Sequence, residues 1–167
     1  MLTLYCNSFS AKTPLRSQFN QKTLMCGTHF LPDDLVKKCQ ENKFLLDNTE
    51  KNISFLNHFL GDLTGLYWVW KNTDDEFVGT NQYRRFYIEE DIKSLNKNTL
   101  YVSHFLYAPF GVWEQYISSH GNIGIKILSD ASRLKRIKIT KEMIDSMYSH
   151  KYISPCNMFF SHRDIFN

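Results

Sequence analysis

Strong charge of either sign is missing from this sequence. Twenty Lys and Arg stand against seventeen Asp and Glu, leaving a net charge of +3. That excess is spread too evenly to make the electrostatic footprint of a nucleic-acid binder, so no nucleic-acid partner is expected. Long hydrophobic runs are missing too. No stretch approaches the roughly 18 apolar residues that span a bilayer, and the opening MLTLYCNSF lacks the basic head and apolar core of a secretory signal. A cytoplasmic protein is expected. The four cysteines, Cys6, Cys26, Cys39 and Cys156, stand singly, without a CxxC or Cys/His pair at zinc spacing, which points to free thiols. There is no internal repeat, low-complexity tract or linker, and no glycine-rich phosphate loop: the GTNQ run at Gly79–Gln82 fits none.

What is present suits a packed core. With 167 residues, 43% hydrophobic and 15% aromatic, the chain is expected to fold as a single domain over 1–167. LTLYC at Leu2–Cys6 alternates like a strand, and the polar NSFSAKTP after it reads as a strand-to-helix loop. Pro32–Asn42 has Pro at its start, acids in its first turn and lysines later, as a short helix favours. Gly61–Asn72 reads as a helix capped by Asp62, with Leu63, Leu66, Tyr67 and Trp70 on one face. A turn at Thr73-Asp74-Asp75 and a strand from Glu76 follow, so helix, turn and strand read as one unit of an α/β sheet. Thr99–Leu106 is β-rich, Val112–His120 and Lys141–Tyr148 are helical, and NMFF at Asn157–Phe160 reads as a closing strand.

The two adjacent arginines in QYRRFY, Arg84 and Arg85, fall where that strand ends. In open α/β sheets ligands sit beyond the carboxyl ends of the strands. Guanidinium groups grip phosphate in a bidentate fork, and flanking aromatics wall a pocket or stack on a base. The alternative reading is a surface pair opposing Glu89, Glu90 and Asp91, with the aromatics in the core.

The segment GDLTGLYWVWKNTDDEFVGTNQYRRFY, together with VWEQYISSH and NMFF, resembles a domain-of-unknown-function family of glycosyltransferase type found in bacterial capsular and exopolysaccharide gene clusters. That family's pattern runs roughly ELTALYWIWKN…DYIGLCHYRRYF, then YEQY…H and YNMFIM. The three blocks occur in the same order between Asn52 and Asn167. The resemblance implies a GT-A-like, Rossmann-type three-layer α/β sandwich and transfer of a sugar from a nucleotide diphosphosugar to a saccharide or lipid-linked acceptor. It places Gln82, Tyr83, Arg84, Arg85 and Asn157 at the nucleotide-sugar site, and Glu114 and His120 as candidate catalytic groups. No Asp-x-Asp motif stands at the strand end. Fixed guanidinium charge can take over the neutralisation that Mg or Mn supplies elsewhere, so no protein metal site is assigned.

The family's histidine before the arginines is Gln82 here, which cannot take up a proton at neutral pH. The resemblance therefore describes a divergent, C-terminally short member, and a catalytically inactive nucleotide- or glycan-binding module of the same fold is the second reading. Glu114 and His120, at i and i+6, do not share a face of one helix. Asp74 and Asp75 read as turn formers. Arg133–Lys141 alternates basic and apolar residues. It reads as a solvated strand or loop, with peripheral contact to anionic lipid or a lipid-linked diphosphate as the alternative.

Overall fold

A computed structural model describes residues 1–12, 19–87, 94–122, 124, 126, 130, 133, 138, 140–154 and 156–167. The chain packs as two compact units, Met1–Ser103 with Cys156–Asn167 and, between them in sequence, His104–Pro155.

The larger unit is built on a six-stranded sheet. In chain order its strands are β1 (Leu2–Ser8), β2 (Asn20–Met25), β3 (Leu45–Leu46), β4 (Phe77–Gln82), β5 (Tyr101–Val102) and, after the smaller unit, β8 (Phe159–His162). Their spatial order is β3-β2-β1-β4-β8-β5. The first four are parallel, while β8 runs antiparallel to both β4 and β5. β1 is buried along its whole length, as a central parallel strand covered on both faces must be. β2 is a strand the hydropathy pattern conceals, because its first four residues, Asn20 to Thr23, are polar and only Leu24 and Met25 are buried.

Helices cover both faces. α1 (Asp33–Glu41) follows Pro32, carries Asp33 and Asp34 in its first turn, and buries Cys39 in a cluster with Met25, Phe44 and Leu46. On the opposite face, after the one-turn α2 (Asn57–Leu60), lies α3 (Leu63–Asn72). Its Trp68 and Val69 pack with Tyr5, Leu24, Cys26 and Val78, and burying two such side chains contributes about 2–3 kcal/mol each. The short C-terminal α6 (Arg163–Phe166) adds Phe166 to that face.

The packed face of α3 is not the predicted one. Thr64, Gly65, Trp68 and Val69 face the sheet, whereas Leu63 and Trp70 are exposed. Leu63, Leu66, Tyr67 and Trp70 instead line a shallow groove of about 380 Å³ with Ile53, Phe159 and Phe166. The reason is close approach. A Cβ on Gly65 would lie 2.6 Å from Cys26 Sγ and 2.8 Å from Asn7 Oδ1, so only glycine lets the helix sit this near the strand ends.

What fixes α3 there is Asp47, just past β3 and wholly buried. Its Oδ1 accepts from the Thr28 amide (2.9 Å), Thr28 Oγ1 (2.6 Å) and Ser54 Oγ (2.6 Å). Its Oδ2 accepts from the Gly27 amide (2.9 Å) and Thr64 Oγ1 (2.7 Å). All five donors are neutral amides or hydroxyls. Together they tie the loop after β2, the loop after β3 and the first turn of α3 to one carboxylate, satisfying a charge that would otherwise be very costly to bury.

A second acid works at the opposite edge of the sheet. Asp75, in the connection between α3 and β4, accepts from Thr3 Oγ1 and Tyr5 OH, both at 2.7 Å. Burial pushes its carboxyl upward, but the Tyr5 and Thr3 bonds and the nearby Lys22 and Arg163 charges outweigh that and leave it below the usual carboxylate range. Asp75 is thus a strand anchor, and the predicted turn at Thr73-Asp74-Asp75 is an irregular connection instead.

In the smaller unit the strand pair β6 (Leu106–Tyr107) and β7 (Tyr152–Ile153) is antiparallel. Two helices, α4 (Val112–His120) and α5 (Lys141–Ser149), pack through Trp113, whose ring meets Tyr148 edge-on at 5.9 Å. The predicted β-rich run Thr99–Leu106 thus divides, β5 joining the large sheet and β6 the small one. Much of the basic run Arg133–Lys141 lies outside the described residues.

Two outcomes are expected. Asp47→Ala leaves five buried donors without their acceptor and should cost about 3–5 kcal/mol in urea unfolding, since each unmet group costs about 1–3 kcal/mol before the site relaxes. Asp47→Asn, which keeps one oxygen, should cost less. Asp75 has a lowered folded-state pKa, so its stabilisation is complete above about pH 4, the ordinary carboxylate value, and is lost as pH falls through the folded value. In denaturant melts the advantage of the wild type over Asp75→Asn should therefore shrink below about pH 4. A pH-independent difference would contradict this.

Candidate functional site

The chain leaves β1 toward β2 on one side, and β4 enters on the other. The carboxyl ends of β1 and β4 thus form a topological switch point, where open α/β sheets bind ligands. Asn7 and Gln82 are paired across that edge, and the Tyr83 amide donates to the Asn7 carbonyl at 3.2 Å. Beyond Gln82 the backbone closes a tight turn: the Gln82 amide donates to the Arg85 carbonyl (3.2 Å) and the Arg85 amide to the Gln82 carbonyl (3.0 Å). Tyr83 and Arg84 occupy its corners.

This turn organises the arginines. Arg85 Nη1 donates to Gln82 Oε1 at 3.1 Å, and the Arg84 guanidinium lies 4.8 Å from the centre of the Tyr83 ring. Both arginines are exposed, and neither lines the groove on α3 or the cavity of the smaller unit described below. They form a cationic projection at the strand edge, available to an anion that approaches from solvent. Phe86 is exposed and Tyr87 buried, stacked edge-on against Phe160, so only part of the aromatic bracket belongs to the core. The acids Glu89, Glu90 and Asp91 lie outside the described residues.

Asn157 joins the same edge from β8. Thr80 Oγ1 donates to the Asn157 carbonyl (2.6 Å) and Gln82 Nε2 to the Cys156 carbonyl (2.9 Å). Cys156 and Asn157 both hold positive φ, 77° and 46°, which costs a residue with a Cβ about 1–2 kcal/mol. Two consecutive left-handed residues are strained backbone beside a candidate site. Their conformation turns Asn157 Nδ2 onto the Asp62 carboxylate, at 3.2 and 3.3 Å to its two oxygens. Asp62 precedes α3 as predicted, but its side chain makes no capping bond there; it is engaged by Asn157 instead.

Three residues of this edge escape a reading of the sequence. Asn7 is buried, and its Oδ1 finds no hydrogen-bond partner among the described residues; the one signal was its place at the end of the opening strand. Asn81 donates to Gln21 Oε1 at 3.0 Å, but its buried Oδ1 is likewise unpaired among the described residues. Asp62 carried a capping signature that masked its other use. Two buried thiols nearby are held protonated: burial pushes Cys6 up to about 12 and Cys26 well above its ordinary value, so their thiolates are scarce.

Glu114 and His120 lie at opposite ends of α4 in the smaller unit. Glu114, in the first turn, lines a cavity of about 750 Å³. His120, in the last turn, stacks on Tyr116 with ring centres 4.7 Å apart. Its Nδ1 lies 3.2 Å from the Tyr116 carbonyl. A carbonyl only accepts, so in this contact Nδ1 is the donor. The helix does not bring the two side chains together. Among the described residues, no group of three or more His, Cys, Asp or Glu side chains could hold a metal ion, and no helix is long and apolar enough to cross a membrane.

Fold and strand edge define an α/β protein of the GT-A-like, Rossmann-type class. Across 99% of its length the chain is similar to the apo structure of the WbbM bifunctional glycosyltransferase, with a TM-score of 0.70 and 18% sequence identity. It spans about a third of that protein, 34% of its chain. The family model described as a domain of unknown function, DUF4422, matches residues 28–167, and the chain belongs to that family. Hyaluronidase PH-20 of Rattus norvegicus is 32% identical over 92 residues, which cover 52% of this chain and 16% of that protein.

The strained Asn157 backbone gives a direct check. Asn157→Ala should be less stable than Asn157→Gly by about 1 kcal/mol, because both lose the Asp62 bond while only glycine relieves the left-handed conformation. Paired urea melts measure this, and an alanine variant as stable as the glycine one would contradict it.

Proposed function

We propose that this chain is a glycosyltransferase domain that moves a sugar from a nucleotide diphosphosugar to a saccharide or lipid-linked acceptor in capsular or exopolysaccharide synthesis. The observation that carries this reading is the Gln82–Arg85 turn, which sets two guanidinium groups at the carboxyl edge of β4, beside the β1/β4 switch point. Membership of DUF4422 and a fold shared with a protein named as a glycosyltransferase support it.

In such a transfer the bond between the anomeric carbon and the diphosphate oxygen breaks, its electron pair leaving with the nucleoside diphosphate. An acceptor oxygen forms the new bond and its proton passes to a base. Arg84 and Arg85 would neutralise the departing diphosphate, since fixed cations aimed at developing negative charge lower the barrier. Tyr83 would flank the donor, with Gln82 and Asn157 shaping the edge; the Gln82 amide, bonded at both ends, positions the turn and the Cys156 carbonyl. In the smaller unit Glu114 is the proposed base, and His120 Nε2 the other group able to take a proton. The described side chains do not assemble a ligand set that fits a divalent ion. A cytoplasmic location, with peripheral membrane contact at a lipid-linked acceptor, goes with this reading.

Thermal-shift titrations with UDP-, GDP- and CMP-sugars test it. One nucleotide sugar should stabilise the wild type, by about 2.7 kcal/mol at a hundredfold excess over Kd, and most of that gain should vanish in Arg84→Ala/Arg85→Ala. A gain retained in full by the double variant would remove the arginines from the site. Nucleotide binding without product over an acceptor panel would select the inactive binding module.

A further inference from the structure

The cavity of the smaller unit has a lining whose chemistry has no part in holding a diphosphate. It measures about 750 Å³, within the range of small-molecule sites, and its lining includes Leu106, Tyr107, Phe110, Glu114, Gln115 and Ser118. Phe110 and Tyr107 are 85% and 57% exposed. Large aromatic faces left this open are costly in water and mark a surface that meets something.

Opposite in character to those rings is one face of α4. Glu114 and Ser118 stand at the i, i+4 spacing that puts side chains on one side of a helix, Gln115 stands three residues before Ser118, and all three line the cavity. The Ser118 hydroxyl donates to the Gln115 carbonyl at 2.8 Å, which leaves its lone pairs as acceptors, while Gln115 offers both an amide donor and an acceptor. Glu114 is drawn in over the turn that carries Phe110. A Cβ on Gly111, whose φ is 102°, would collide with Glu114 Oε2. The Gly111 amide closes that turn on the Ala108 carbonyl at 2.9 Å. Glycine at 111 thus lets a carboxylate and an exposed phenyl ring share one wall.

We infer that this cavity is a saccharide site, binding one sugar ring of the acceptor between Phe110 and Tyr107 on one side and Glu114, Gln115 and Ser118 on the other. A pyranose is amphipathic in the same sense. Its C–H face carries the weak positive edge that the negative face of an aromatic ring attracts, and its hydroxyls both donate and accept. Glu114 is acceptor-only, so it selects a hydroxyl that donates. The described lining residues include no Lys or Arg, which disfavours a phosphate group or an anionic lipid surface, both of which need cations. Naming the sugar as the acceptor rests on the transferase reading; the saccharide site itself does not.

Saturation-transfer NMR on the full chain, with the methyl β-glycosides of glucose, galactose and N-acetylglucosamine as probes, tests this. At least one glycoside should bind with millimolar Kd. Phe110→Ala should weaken it tenfold or more, with melting temperature unchanged because that ring is solvent-exposed, and Glu114→Gln should weaken it several-fold. Nucleotide-sugar thermal shifts measured on Phe110→Ala should be unaltered. The inference is overturned if no glycoside binds into the tens of millimolar, if binding is equal in wild type and Phe110→Ala, or if anionic phosphatidylglycerol vesicles, but no glycoside, engage Phe110. Glycoside binding without any nucleotide-sugar shift would sink the transferase reading and leave the saccharide site standing. Nucleotide binding without glycoside binding would do the reverse.

Discussion

A buried carboxylate held by neutral donors, with no cation on it among the described residues, sets the geometry of the larger unit. Asp47 draws on five neutral donors from three segments, so the loops after β2 and β3 and the first turn of α3 cannot move independently. The consequence runs outward. Thr64 pins α3, which brings Gly65 against Asn7 and Cys26 at the strand ends. It also sets Asp62, just ahead of the helix, where Asn157 reaches it. Asn157 and Cys156 receive Thr80 and Gln82 from β4, and Gln82 holds Arg85. A chain of contacts therefore joins the core acid to the exposed Arg84–Arg85 turn.

The two units offer complementary chemistry. The larger presents fixed positive charge on a short turn at a sheet edge, suited to a multivalent anion. The smaller presents aromatic faces beside a carboxylate, an amide and a hydroxyl, suited to a neutral polyol. A charged site and an apolar-walled one are difficult to build from one set of residues, because the first wants water-exposed cations and the second wants desolvation. Placing them on separate elements, a strand end for one and the α4 surface for the other, removes that conflict.

Elements with a strong period were legible in the sequence. β1, α1, β4, α4, α5 and β8 fall within a residue or two of where alternation, first-turn acids and turn residues put them. β2 was not, because Asn20, Gln21, Lys22 and Thr23 alternate in exposure without alternating in polarity. The face of α3 was misread for a related reason: a hydropathy stripe favours Leu63, Leu66, Tyr67 and Trp70, while the packing is decided by two small residues, Thr64 and Gly65, whose value lies in how near they let the backbone come. Arg84 and Arg85 could be singled out because adjacent charges at a strand end are visible locally. Asp47 could not, since its donors at 27, 28, 54 and 64 meet only in the fold. The pairing of Asp62 with Asn157, 95 residues away, was invisible for the same reason.

The central claim is that the anion of a nucleotide sugar meets the protein at the carboxyl edge of β1 and β4. Residue-by-residue amide chemical shifts, recorded while a nucleoside diphosphate is titrated into the full chain, test it most directly. Perturbations centred on Asn7, Gln82 to Arg85 and Cys156–Asn157 are the expected result. Saturable shifts confined to other parts of the chain, with this edge silent, would contradict it.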